Sequence, residues 1–170
     1  MSRYIWSKLN KMQVGTFVEY YAKMEFAMYG FQVYTSEVDD RGLDFIARYE
    51  DTDFLSIQVK SLRSNSKSTY IYLTKENFKM SPNQYLVFSW LTDGDMPNLY
   101  LIPASAWLEH NALFRSYDYD QGQKSKAEWG LNITPKTIEL LSPYRFDLTM
   151  ESILETYNAN KLSKPSESLV

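Results

Sequence analysis

The run Tyr85-Leu86-Val87-Phe88-Ser89-Trp90-Leu91 is apolar at nearly every position, the pattern of a strand buried on both faces. Such a strand belongs in the middle of a sheet flanked by helices. The segments around it supply candidates. Val14, Phe17, Val18, Tyr21, Met24 and Met28 recur at helical spacing, so a helix is expected over 14–29, with Gly30 as its stop. Residues 31–34, 43–49, 54–61, 69–74 and 98–102 read as strands, and 43–49 with 54–61 as a hairpin closed by Glu50-Asp51-Thr52-Asp53. Residues 37–42 read as a turn, and Pro103 opens a short helix carrying Trp107 and Leu108.

Toward the C-terminus the pattern weakens. Residues 115–130 are irregular and polar, and are expected to order on binding or oligomerisation. Residues 131–134 read as a strand and 150–157 as a terminal helix, while 158–170, rich in Ser, Lys, Asn and Pro, reads as a disordered tail. The expected organisation is one α/β domain over 1–157, with a core at about 11–103 and an elaboration at 104–157. A central mixed β-sheet flanked by helices is the expected architecture. With 170 residues, 44% of them hydrophobic, the chain can bury one substantial core.

Composition excludes several chemistries. The absence of cysteine removes disulfides, thiolate zinc sites and cysteine nucleophiles, and the single histidine rules out a multi-histidine centre. Neither a Gly-x-Ser-x-Gly elbow, nor a Gly-x-x-x-x-Gly-Lys phosphate loop, nor a Gly-x-Gly-x-x-Gly turn occurs. No apolar run approaches the roughly 20 residues needed to span a bilayer, and the first residues lack a signal-peptide core. A soluble, cytoplasmic protein is expected. A net charge of −3 argues against a general nucleic-acid coat protein. Carboxylates that bind a cation add negative charge without preventing contact with a phosphate.

The hairpin carries the most pointed chemistry. Alternation along a strand puts Gln58 and Lys60 on one side with Val59 pointing away, and Asp44 on the preceding strand can meet them. A carboxylate, a carbonyl oxygen and an ammonium at one sheet edge suit a hard divalent cation and a water beside a phosphate. Asp and Lys on a hairpin also occur widely in proteins with no such chemistry. Ser61, Arg63 and Lys67, read as part of a donor-rich loop after the strand, are candidates for gripping a nucleic-acid backbone. Asp39 and Asp40 read as solvated turn acids and His110 as a surface residue. Tyr70, Tyr72, Trp90 and Tyr100 read as core or subunit contacts rather than base-stacking platforms.

With Gly15, Glu19 and Gly30-Phe31 on the first helix and Asp44 with Gln58-Val59-Lys60 on the hairpin, residues 11–103 resemble the PD-(D/E)XK nuclease superfamily, whose fold is called restriction endonuclease-like. The motif layout is most similar to Holliday-junction resolvase and Mrr-like members. Gln58 stands where that motif usually has an acid, and Leu43 where it often has proline. The resemblance implies a Mg2+-dependent DNA endonuclease of restriction or repair type, with Mn2+ as a substitute and a homodimer or higher oligomer as the working form. It implies Glu19, Asp44, Gln58 and Lys60 as catalytic residues. Glu19, Asp44, Gln58 and the Val59 carbonyl are the implied metal ligands. Helical periodicity points instead to Glu25, which stands as the reserve ligand. The alternative reading is a catalytically inactive nuclease-fold module that binds nucleic acid or a protein partner. The aromatic segment after Ala104 is the expected oligomer interface.

Overall fold

A computed structural model describes residues 3–35, 42–119 and 125–163. Helix α1 (Lys11–Met28) starts where the sequence provides a cap. Asn10 Oδ1 accepts from the Gln13 N–H, and Gln13 Oε1 accepts from the Asn10 N–H, each at 2.9 Å. The helix stops at the expected glycine: Gly30 has φ +86°, and the Phe31 N–H reaches back to the Phe26 carbonyl at 3.1 Å. Its buried stripe is Val14, Val18, Ala22 and Phe26, one i,i+4 ridge. Phe17, Met24 and Met28, expected on that stripe, are exposed at its flanks. The ridge slants around the helix, so equal weight on every apolar residue misplaces the buried face.

Five strands form the main sheet: β1 (Gln32–Tyr34), β2 (Phe45–Arg48), β3 (Leu55–Arg63), β5 (Gln84–Leu91) and β6 (Asn98–Pro103), in the order β1-β2-β3-β5-β6. The β3–β5 pair is parallel and the other pairs are antiparallel, so the sheet is mixed. The crossover between β3 and β5 carries β4 (Tyr70–Thr74), which joins β7 (Phe114–Tyr117) and β8 (Glu128–Asn132) in a second antiparallel sheet ordered β4-β8-β7. Helix α2 (Phe146–Ser163) completes the fold.

The α/β class with a central mixed sheet flanked by helices is the one observed. On one face, Phe45, Ile57, Val87 and Leu101 pack against Ala22 and Phe26 of α1 and Phe146, Met150 and Ile153 of α2. Phe26 sits edge-on to Phe31, Phe45 and Phe146 at 5.4–5.5 Å; emptying that site costs about 3–5 kcal/mol. On the other face, Leu62, Leu86 and Phe88 pack against Ile71 and Leu73 of β4, Phe114 of β7 and Leu131 of β8. The strand β5 thus feeds both clusters, as its apolar run requires.

Four expectations change. The β3 ladder continues through Arg63, paired with Leu91, so Ser61, Leu62 and Arg63 are strand residues rather than a loop. The stretch 115–130 holds most of β7 and the first residues of β8, so the strand expected at 131–134 starts earlier, at Glu128; Phe114 and Leu131 at its borders are core residues. Of the aromatic residues after Ala104, expected at an oligomer interface, Trp107 and Phe114 fill the space between the sheets, while Tyr117 and Tyr119 stay exposed. Helix α2 begins before residue 150 and runs to Ser163, into the stretch read as tail. Asp39 and Asp40 lie outside the described residues, as do 164–170. Among the described residues no helix is long and apolar enough to cross a membrane.

Candidate active site

Strand β3 sets the geometry. Ile57 belongs to the cluster under the helices and Leu62 to the cluster between the sheets, so alternation turns Gln58 and Lys60 toward the side of Leu62. Gln58 is 7% exposed and Lys60 is half-buried. Asp44 stands just before β2 rather than within it. Its N–H donates to the Ile57 carbonyl at 3.0 Å, and its Oδ2 accepts from the Val59 N–H at 2.6 Å. The carboxylate is therefore fixed against β3 beyond the end of the β2 ladder, whose last pair is Phe45 with Ile57. Main-chain N–H and C=O of one strand residue point to the same side, so the Val59 carbonyl also faces the Asp44 side. Gly42 has φ +67°, and a Cβ there would stand 3.0 Å from Gln58 Nε2. The turn leading into Asp44 thus needs glycine twice, for its backbone and for the amide beside it.

Helix α1 closes the other wall. Glu19, Asp44, Gln58 and Lys60 line one cleft of about 860 Å³, together with Lys11, Gly15, Ser61, Arg63 and Tyr70. Val59 lines it as well. The Glu19 carboxylate takes a hydrogen bond from Lys23 Nζ at 2.6 Å, one turn along the helix. Lys23 is itself mostly covered and lies over the Phe45 ring. Glu25 faces elsewhere: it lines a second cleft with Tyr21, Tyr29, Tyr100 and Arg145, away from Asp44. Burial, then the Glu25 carboxylate, push the Tyr21 phenol above its ordinary range.

The three residues considered for nucleic-acid contact separate. Ser61 lines the cleft. Arg63 also lines it, but its Nη1 donates to the carbonyls of Trp6 at 3.1 Å and Leu9 at 2.9 Å, pinning the segment that enters α1 onto β3. Lys67 is exposed in the β3–β4 turn, between two serines that line the cleft.

The donor chemistry fits a hard cation in part. Two carboxylates, the Gln58 amide and a main-chain carbonyl offer oxygen of the kind such ions take. Among the described residues no three Asp, Glu, His or Cys side chains come together as a metal group, so a cation in this cleft would need neutral oxygens beside the carboxylates. Neither the Gln58 amide nor the Lys60 ammonium has a side-chain hydrogen bond or ion pair among the described residues. The only fully buried side-chain polar atom left without a partner among the described residues is Ser89 Oγ, so the Gln58 amide opens on the cleft.

Two participants escaped the sequence reading. Lys23 pairs with Glu19, a relation visible in the i,i+4 spacing. Strand β4 forms a wall of the cleft through Tyr70, Ile71, Tyr72 and Leu73; that placement depends on the second sheet, which no local pattern announces.

No family model and no curated protein sequence matches the chain. Among solved structures, the fold is similar to that of the bacterial homing endonuclease I-Ssp6803I, at 16% identity and a TM-score of 0.50, covering 91% of this chain and 99% of that one. A second similar structure is Hjc, a Holliday junction resolvase from the archaeal hyperthermophile Archaeoglobus fulgidus, at 14% identity and a TM-score of 0.43, covering 74% of this chain and 88% of that one.

Proposed function

We propose that the protein is a metal-dependent DNA endonuclease that hydrolyses phosphodiester bonds. The observation that carries the reading is the convergence of Glu19, Asp44, Gln58 and Lys60 on one cleft, with Lys60 unpaired among the described residues. The fold shared with a homing endonuclease supports it. Glu19, Asp44, Gln58 and the Val59 carbonyl would hold Mg2+, or Mn2+ in its place. When bound, such an ion acidifies a water and stabilises charge on the phosphate. Asp44 is held ready by the Val59 N–H. Glu19 must leave Lys23 to take part. Lys60 orients the attacking water and balances the phosphate charge, while Ser61, Arg63 and Lys67 lie near the path of the backbone.

A chain with one site cuts both strands of a duplex only as a pair, so the reading includes a homo-oligomer. The exposed row Met12, Tyr20, Met24 and Met28 on α1 is the apolar surface offered to a second copy. Sedimentation showing only monomer at high concentration would remove that element.

The test is nicking of supercoiled plasmid with Mg2+ or Mn2+, using the wild type, Asp44→Asn and Lys60→Met. Each substitution is expected to lower the rate about 100-fold or more with melting behaviour retained. Nicking that survives both substitutions would refute the assignment. The absence of a three-carboxylate group among the described residues and the Glu19–Lys23 pair favour one competing reading, a non-catalytic nuclease-fold module. It predicts salt-dependent DNA binding without cleavage.

A further inference from the structure

We propose that the outer face of the small sheet, where it borders the cleft, is a stacking platform for unpaired bases of single-stranded DNA. The inference deepens the nuclease reading and rests on it. Ile71 and Leu73 point into the core between the sheets, so Tyr70 and Tyr72 point outward from the same strand. Tyr72 is 58% exposed, and Tyr117 and Tyr119 are 43% and 37% exposed. Tyr70 meets Tyr117 edge-on at 6.4 Å, and Tyr117 stacks with Tyr119 at 6.4 Å. The aromatic surface is continuous with the cleft because Tyr70 and Tyr72 line it.

The platform is held in place. The phenol end of Tyr70 occupies the space above Gly130, where a Cβ would come within 2.2 Å of its oxygen. Its hydroxyl donates to Glu128 at 2.7 Å. Covering a bare glycine in this way also stabilises a sheet, which accounts for Tyr70 alone. It leaves Tyr72, Tyr117 and Tyr119 exposed on one face without explanation.

Polar groups around the rings match a nucleic-acid strand. The Ile133 N–H bonds to the Thr69 carbonyl and the Lys75 N–H to the Ala127 carbonyl. Alternation then turns the main chain of Tyr70 and Tyr72 away from β8, along the free edge of β4. Ser68 Oγ occupies the Tyr70 groups, which leaves the Tyr72 edge facing the cleft. Tyr72 pairs with Gly130, which pairs with Arg115 on the far strand. Arg115 is exposed and has no ion-pair partner among the described residues. The neighbouring carboxylates are engaged, Glu128 by Tyr70 and Asp118 by Lys75. One exposed cation, Arg115, and open ring faces beside a phosphate-handling cleft suit bases that are not paired.

The test is binding in EDTA, where no metal-dependent cleavage intervenes. Fluorescent oligothymidylate is compared with an abasic oligomer of equal length and phosphate count, using wild type, Tyr72→Ala and Tyr72→Phe. The wild type is expected to prefer the base-bearing strand by about tenfold. Tyr72→Ala removes most of that preference and Tyr72→Phe keeps it, with abasic binding unchanged in both. Equal affinity for the two oligomers, an equal loss on both in Tyr72→Ala, or no binding of either would overturn the inference. The nuclease reading itself is judged by plasmid nicking, so the two fail separately.

Discussion

Replacing Gln58 by Glu restores a charge to the candidate metal shell and exposes the tension that the glutamine relieves. Asp44 follows directly on the last β2–β3 pair, Phe45 with Ile57, and so stands across from Gln58. Side chains in such positions lie about 5 Å apart. Two carboxylates at that separation repel by about 3 kcal/mol at an effective dielectric constant near 20. Protonating the new acid at pH 7 caps the cost at about 4 kcal/mol. For a chain of this size, Gln58→Glu without metal is therefore expected to melt about 6–12 °C below wild type. The penalty should shrink as the pH falls toward 4, because the folded state then binds the proton that relieves it. A divalent cation reverses the sign of the effect. Where Mn2+ saturates both proteins the deficit closes by RT ln of the ratio of their Kd values, about 2.7 kcal/mol if the variant binds about a hundredfold more tightly, so the melting deficit should largely close on titration. The assay is thermal denaturation of both proteins across a Mn2+ series. A deficit that Mn2+ leaves untouched, or a wild-type response equal to that of the variant, would refute the claim that Gln58 sits in a cation shell.

Arg63→Ala removes two charge-assisted bonds to the Trp6 and Leu9 carbonyls, a loss of about 3 kcal/mol, seen as a fall in melting temperature of about 10 °C; unchanged melting with weakened DNA binding would assign Arg63 to the substrate instead. Gly15 lies inside α1, and a Cβ there would meet nothing within 4 Å. Gly15→Ala should therefore raise stability by about 1 kcal/mol while weakening DNA binding in a gel-shift assay, since Gly15 lines the cleft. Equal or tighter binding would place the substrate away from α1. The Tyr70 phenol is held above its ordinary range by burial and by its bond to Glu128. Its contribution is complete below about pH 10 and is lost as pH rises through the folded value. Tyr70→Phe should accordingly show a shallower alkaline decline in melting temperature than wild type, and parallel declines would contradict this role.

Much of the fold was written in local pattern. The Asn10–Gln13 cap, the Gly30 stop and the two-sided burial of β5 follow from residues close in sequence. The relation of Asp44 to Gln58 and Lys60 follows from hairpin pairing and strand alternation. Long-range pairing was harder to read. Strand β8 is five residues long, carries Gly130 and derives its place from β4, more than fifty residues earlier. The polar stretch 115–130 hid most of β7 and the first residues of β8, because one face of each meets solvent, while Leu131 and Asn132 were legible as strand. Likewise the length of β3 is set by its parallel partner, and not by the serines and arginine at its end. Glu19 and Glu25 share a helix and a residue type. They separate only when the sheet beneath defines two different clefts.

Anomalous diffraction from a crystal soaked in Mn2+ bears most directly on the site. A single strong peak beside Asp44, Gln58 and the Val59 carbonyl, with Glu19 turned from Lys23 toward it, is the predicted result. A cleft with no peak, or Mn2+ bound elsewhere while Glu19 stays on Lys23, would contradict the account.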